Sequence, residues 1–437
     1  MLLKSYYETQ YGLKKNPFPG RATYSEDTQG IYVPEMFGHQ REEFLRKFIL
    51  APLENGQPLI GAVWSIVPGD PEARGFGKST LMGEEAKLIN CDLGRSTLVG
   101  LGVSEEDAQA NPVLASYASF NAKAYGGIAS IDAVAFHLAR FILRGKDASG
   151  ESVHQRLFEL AAARLIAQGK ASAVNERDAL VASVREKVRS FAVPIDIRNL
   201  LEDYLFLLAS PDTDELQRFL VDEVGTWHHD RNGLKYLQLL VIFTELAGIE
   251  HLTFFIDQVE DFTANANSGK ILKNVKIIRD ALLETEPFSS RASFVFQLHP
   301  IAWERLSVAW THEDLRSLHP DDPLNASVVV VLKGLETFDS ARLLADRCLN
   351  DASVALPTRQ GGIYPFTDSA LKQVWEATKP KPRNYLSVLY GLLDLGKNER
   401  QPQIDDSFVK PKLEKLVSSV REIDGESGPV MNYDRLA

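Results

Sequence analysis

The sequence predicts an α/β fold, a doubly wound parallel sheet carrying an all-α insert and closed by a C-terminal all-α lid. Three observations carry that expectation. Apolar segments of strand length, at 59–67, 113–122, 251–257, 292–298 and 326–332, alternate with segments of helical periodicity. A glycine-rich turn joins the first of these strands directly to a helix, and the third strand ends on an aspartate. In a parallel sheet, the carboxyl ends of the strands are where ligands are held.

Residues 1–58 contain Tyr11-Gly12-Leu13-Lys14-Lys15-Asn16-Pro17-Phe18-Pro19 and finish with 38–50, where apolar positions 44, 45, 48 and 49 keep helical spacing. The first strand follows, and after it the turn GDPEARGFGKST from Gly69 to Thr80. Each residue type there suits phosphate. Small residues let backbone N–H groups close around phosphate oxygens, the Lys78 ammonium reaches the β- and γ-phosphates, and the Ser79 or Thr80 hydroxyl ligates Mg²⁺. The usual GxxxxGK[ST] spacing would place a glycine at position 72, where this chain has Glu72. The turn from Gly69 is therefore three residues longer, while Gly75-Phe76-Gly77-Lys78-Ser79-Thr80 keeps the expected form. The alternative is a lysine-bearing surface turn, against which stand the strand before and the helix after.

The second strand leads into an amphipathic helix at 129–143. Four helical patterns then fill 145–232, more chain than a nucleotide-binding core needs between its second and third strands, and they read as an inserted all-α subdomain. Their charges are mixed in sign, as on a solvated face. Trp227-His228-His229-Asp230 supplies metal-ligand residue types, but adjacent side chains rarely converge on one ion, and the stretch reads as a loop before a helix at 234–246.

The third strand, HLTFFID, delivers Asp257 to its carboxyl end, where it can hold Mg²⁺ through water. The next position is Gln258, an amide that cannot serve as a base for attacking water. Glu260 is then the candidate to orient water; were it to point away, hydrolysis would be slow and the chain would act as a nucleotide switch. In the helix at 270–283, Lys273, Lys276 and Arg279 share one face, either a set of phosphate contacts to double-stranded DNA or an ordinary solvated face. Beyond the fifth strand, 333–396 reads as a small helical lid, with a capped helix at 335–344, another after Pro365 with Thr367 or Asp368 as cap, and a third opened by Lys381-Pro382-Arg383.

Tyr11-Gly12-Leu13 with Asn16-Pro17-Phe18, a following helix with an Arg-Glu pair, the loop 75–80, Asp257 and the Pro382-Arg383 pair together resemble AAA+ P-loop ATPases of the ExeA, TniB and origin-recognition group. The resemblance covers roughly 7–125 and 232–397. It implies a 5-1-4-3-2 strand order and ATP with Mg²⁺ bound between core and lid. It also implies γ-phosphate sensing by Gln297, or by its neighbour His299, and by Arg383. Arg316 would be an arginine finger offered to the next subunit of a homo-oligomer. The N-terminal segment would lie beside the adenine, although a strap packing aromatics on the core would use the same residues.

The implied role is an ATPase regulating a DNA-processing or mobile-DNA defence complex. The other reading is a hydrolysis-poor, nucleotide-gated signalling or scaffold module, recruiting a protein partner through the insert or tail. The expected domains are an N-terminal strap and helix (1–58), core (59–144), insert (145–232), core (233–333), lid (334–397) and a C-terminal helix with flexible tail (398–437). The last segment is too short for the winged-helix domain that origin-recognition proteins carry after the lid.

A formal charge of -11 and a pI near 5.4 argue against a general nucleic-acid coat. There is no apolar run of eighteen residues and no export-type N-terminus, so a cytoplasmic chain without a membrane partner is expected. Cys91 and Cys348, far apart, fit a reducing compartment. No Asn-Lys-x-Asp segment follows the fourth strand, which argues against a GTPase.

Overall fold

The computed structural model describes residues 5–19, 32–66, 75–120, 130–192, 194–198, 200–222, 229–259, 267–354 and 362–424. The chain forms two compact units, one made of Glu42–Trp64 and Met82–Val331, the other of Met1–Arg41, Ser65–Leu81 and Leu332–Ala437.

The first of these units is built on a five-stranded parallel sheet of order β2-β3-β4-β1-β5, the order anticipated, with β1 Ile60–Ser65, β2 Val113–Ser119, β3 His251–Asp257, β4 Ala292–Leu298 and β5 Val329–Leu332. Every residue of β3 and β4 is buried, which is why these segments read as near-continuous apolar runs rather than as an alternation. The fifth strand starts at Val329 instead of Ala326 because Pro323–Asn325 forms a helical turn, capped by the Asp322 carboxylate accepting from Leu324 N at 3.0 Å. At the amino edge of the sheet Ser293 joins three segments: its Oγ accepts from Leu59 N at 2.9 Å and lies 2.8 Å from His251 Nε2. Gly61 in β1 is required by close packing, since a Cβ there would stand 2.7 Å from the Val328 carbonyl oxygen.

The helix Ile131–Arg144 lies on the sheet, where Leu138 O accepts from Ser116 Oγ at 2.7 Å. Against it packs the helix His229–Ala247, and Gly233 permits the approach, because a Cβ at that position would overlap the Asp132 carbonyl. His229 and Asp230 begin this helix, contrary to the loop expected for them. Trp227 and His228 lie outside the described residues.

The helices Val153–Ala167, Glu176–Ser190, Leu200–Leu208 and Thr213–Asp222 occupy most of 145–232. Their buried Leu157, Val184, Tyr204 and Leu216 belong to one apolar cluster with Leu114 and Phe254 of the sheet. The insert is thus continuous with the core of its unit.

In the other unit the helices Phe338–Asp351, Asp368–Thr378, Pro382–Asn398 and Asp406–Asp424 pack together. Thr337 and Thr367 cap the first two, each hydroxyl accepting from a backbone N–H at 3.2 Å. The last helix is longer than the short one expected, because Phe408, Val409 and Leu416 give it an apolar face to bury. The N-terminal segment is strapped to these helices: Tyr7 Oη donates to Asp394 at 2.7 Å, Tyr11 Oη to Gln401 O at 2.8 Å, and Asn16 Nδ2 to Tyr390 O at 3.0 Å.

Candidate functional site

Gly75 and Gly77 have φ of +84° and +83°, a left-handed backbone that residues with a Cβ rarely adopt, so this turn needs glycine at both positions. Both glycines are also crowded. A Cβ on Gly75 would stand 2.9 Å from Arg383 Cβ and 3.6 Å from Arg383 Nε; on Gly77 it would stand 3.1 Å from the Phe37 ring. The Arg383 amide donates to Gly75 O at 3.2 Å, at the start of the helix Pro382–Asn398. Phe76, fully buried between them, lies against Gly334, itself left-handed at φ +71°.

The sequence-predicted loop residues Gly75, Phe76 and Gly77 and the lid residue Arg383 are therefore brought together. The helix Lys78–Cys91 begins immediately after. Lys78 is buried and its Nζ donates to Ser65 Oγ, at the end of β1, while Ser79 and Thr80 are half-buried in the helix's first turn. First-turn N–H groups have no carbonyl partner within a helix and carry the positive end of its dipole, so they suit an anion.

In the sheet unit, Asp257 ends β3 and is 2 % exposed. Its Oδ2 accepts from Tyr117 Oη at 2.6 Å and its Oδ1 from Gln258 N at 2.7 Å. Gln258 has φ +55°, left-handed without being glycine, a strain of about 1–3 kcal/mol that its surroundings must sustain. Its Oε1 accepts from Ser119 Oγ at 2.8 Å, which directs the amide NH₂ away from β2. Glu260 lies outside the described residues.

Gln297, buried near the end of β4, pairs in register with Val63 of β1. His299 caps the helix Pro300–His312: its Nδ1 accepts from Ala302 N at 3.3 Å, so the ring proton sits on Nε2 when neutral.

Two sets of predicted cations are engaged locally. The Arg316 guanidinium donates to Asn325 Oδ1 at 3.2 Å and to Leu324 O, bracing its own loop. Lys276 pairs with Asp280 at 2.8 Å, and Arg279 with Asp280 at 2.8 Å and Glu313 at 2.6 Å. The hydrogen bond that Arg279 donates to Asp280 raises the Arg279 pKa, and those donated by Lys276 and Arg279 hold the Asp280 carboxyl below its usual range. Lys273, on the same helix Ser268–Ile278, is exposed.

Sequence reasoning missed Ser65, Phe37, Tyr117 and Ser119. Their types carry no motif, and only the strand pairing reveals that Tyr117 and Ser119 stand beside the end of β3. Among the described residues no cluster of three metal-ligating side chains occurs, and no helix is long and apolar enough to cross a membrane. A nucleotide-borne Mg²⁺ needs no such cluster, because one or two protein oxygens with phosphates and waters complete its shell. The glycine cradle, in which a Cβ would strike its neighbours, fits the phosphates of such a group, and in the sheet unit buried Asp257 is a carboxylate of the type that would hold its cation. No protein-family model matches this chain, nor does any curated protein.

Proposed function

We propose that this chain is an ATP-binding AAA+-type ATPase, akin to the ExeA, TniB and origin-recognition group, that couples nucleotide binding and hydrolysis to regulation of a DNA-processing or mobile-DNA defence complex. The observation that carries the reading is the packing of Arg383 on Gly75, immediately before buried Lys78 and the start of a helix. A glycine turn, a lysine, a helix N-terminus and a second cation from another helix form an anion site suited to a polyphosphate.

Bound ATP with Mg²⁺ supplies the activated phosphoryl group. Lys78 would neutralise the β- and γ-phosphates, first-turn N–H groups would cradle them, Ser79 and Asp257 would hold the cation, Glu260 would orient water, and Gln297 and Arg383 would respond to the γ-phosphate. Arg316 would serve a neighbour in a homo-oligomer only by leaving Asn325 and Leu324. Double-stranded DNA would meet Lys273 directly, and Lys276 and Arg279 only by displacing their carboxylates. Such a role is cytoplasmic, in keeping with the free thiols of Cys91 and Cys348.

One observation favours the second reading, a hydrolysis-poor module whose nucleotide state gates a protein partner docked on the insert or tail. Position 258 carries an amide, which cannot take a proton from water. Steady-state ATP hydrolysis with Mg²⁺, with and without double-stranded DNA, separates the two. Turnover lost in both Lys78→Ala and Glu260→Gln supports the ATPase; ATP retained in a Lys78-dependent way without turnover supports the switch; no ATP binding removes both.

A further inference from the structure

Gly77 is the residue through which the chain enters the helix Lys78–Cys91. Its carbonyl accepts from Leu81 N at 2.8 Å, the first bond of that helix, so Gly77 is the N-cap, and its left-handed φ of +83° sets the direction of the first turn. A glycine has wide conformational freedom and no side chain with which to hold one conformation. Something else must hold it there.

The N-terminal segment supplies that contact. Pro34–Phe37 forms one helical turn, in which Met36 N donates to Val33 O and Gly38 N to Glu35 O, both at 3.1 Å. The turn packs on the helix Phe338–Asp351 and buries Met36 and Phe37. On the open face of Gly77, where a Cβ would project, the tip of the Phe37 ring stands 3.1 Å from that point and Met36 Cε 3.7 Å. Tyr32 lies beside the ring, at 6.0 Å between centroids. All of these residues belong to the unit that carries the glycine turn.

We propose that Phe37 is a positioning residue of the anion-binding turn. Its ring holds Gly77 in the left-handed region and so fixes where the first-turn N–H groups of Lys78, Ser79 and Thr80 point, without touching the anion. The proposal rests on the reading that this turn takes the phosphates of a nucleotide. A leucine at position 37 would stay apolar but end short of the ring's tip, leaving Gly77 unsupported.

The experiment compares the full-length wild type with Phe37→Leu, Lys78→Ala and Leu371→Ala. Leu371 is buried in another helix of the same unit, Asp368–Thr378, so its truncation measures general softening. Calorimetric titration in EDTA gives the affinities for inorganic tripolyphosphate and for ATP, and hydrogen exchange read by mass spectrometry follows residues 75–81 without ligand. Misaligning one hydrogen bond to a charged acceptor costs about tenfold in affinity. Phe37→Leu is therefore expected to weaken tripolyphosphate and ATP by the same factor, about tenfold, and to speed exchange over 75–81. Leu371→Ala should lower the thermal midpoint and leave both affinities unchanged.

Unchanged affinities in Phe37→Leu, whatever its thermal midpoint, overturn the positioning role alone, as does an equal loss of affinity in Leu371→Ala. ATP weakened without tripolyphosphate overturns it too, because the ring would then meet the nucleoside rather than the turn. A wild type that binds neither ligand, or binds both regardless of Lys78→Ala, overturns the phosphate reading and the proposal with it. Should Phe37→Leu fold poorly, Phe37→Tyr sets a hydroxyl on the ring atom nearest Gly77. Altered tripolyphosphate affinity and altered exchange over 75–81 in that variant support the role, and both left unchanged overturn it.

Discussion

The Arg383 amide donates to the Gly75 carbonyl, and the Arg383 side chain covers the face of that glycine where a Cβ would project. One residue thus fixes the turn's backbone from a helix three hundred positions further along the chain.

Gly75→Ala meets two penalties together, a left-handed backbone and a 2.9 Å clash with Arg383. A loss of about 1–2 kcal/mol in stability is expected from the backbone alone, together with weakened ATP binding. Urea unfolding and nucleotide titration measure both. Arg383→Ala keeps the Cβ that makes the 2.9 Å approach, so it should restore no stability to the double variant and should leave ATP binding poor.

Gln258→Glu puts a carboxylate where Ser119 already donates. Under the ATPase reading it should raise turnover at least tenfold, since a positioned general base contributes about 10²–10⁴-fold. Steady-state hydrolysis reads the effect, and unchanged turnover would mean that water is activated elsewhere.

His251 is buried beside Ser293, and burial, with the nearby Arg291 charge, lowers its pKa to about 3. The unfolded chain takes up this proton near the ordinary histidine value of about 6.5. Between those values the unfolded state binds more protons, so stability falls as pH falls, by up to about 1.4 kcal/mol per unit. Urea midpoints of the wild type should drop from pH 6 to pH 5 more steeply than those of His251→Gln; parallel curves would show the histidine is not the source.

Arg279 compensates the buried Glu313 carboxylate, whereas Lys276 and Lys273 are exposed. Arg279→Ala should lower the thermal midpoint more than Lys276→Ala or Lys273→Ala, because it leaves a charge buried without its partner. If DNA stimulates turnover, Lys273→Ala should reduce that stimulation without changing the midpoint.

The strand succession and Gly75 to Lys78 were legible because each follows from a local rule: buried parallel strands are apolar throughout, and a turn with left-handed residues needs glycine. The start of the helix that carries Arg383 was legible from the Pro-Arg pair that opens it. The Tyr117 bond to Asp257 was not, since it depends on β2 pairing with β3 across an intervening stretch of 131 residues from Phe120 to Glu250. Nor were the partners of Arg316 and Arg279, because a sequence lists charges without saying which loop folds back to meet them. Helix starts were the least legible: the helix expected from position 234 begins at His229.

The unit that holds the glycine turn is assembled from the first 41 residues, a short middle piece and everything after position 331. On a ribosome, where the chain emerges from its amino end, that unit stays incomplete until the segment after position 331 has been made. Tyr7 and Tyr11 wait for Asp394 and Gln401, and Gly75 waits for Arg383. The order of synthesis thereby keeps the glycine turn unfinished while the sheet unit already has all of its residues, so a nascent chain released early would carry the lysine without the contacts that shape its loop.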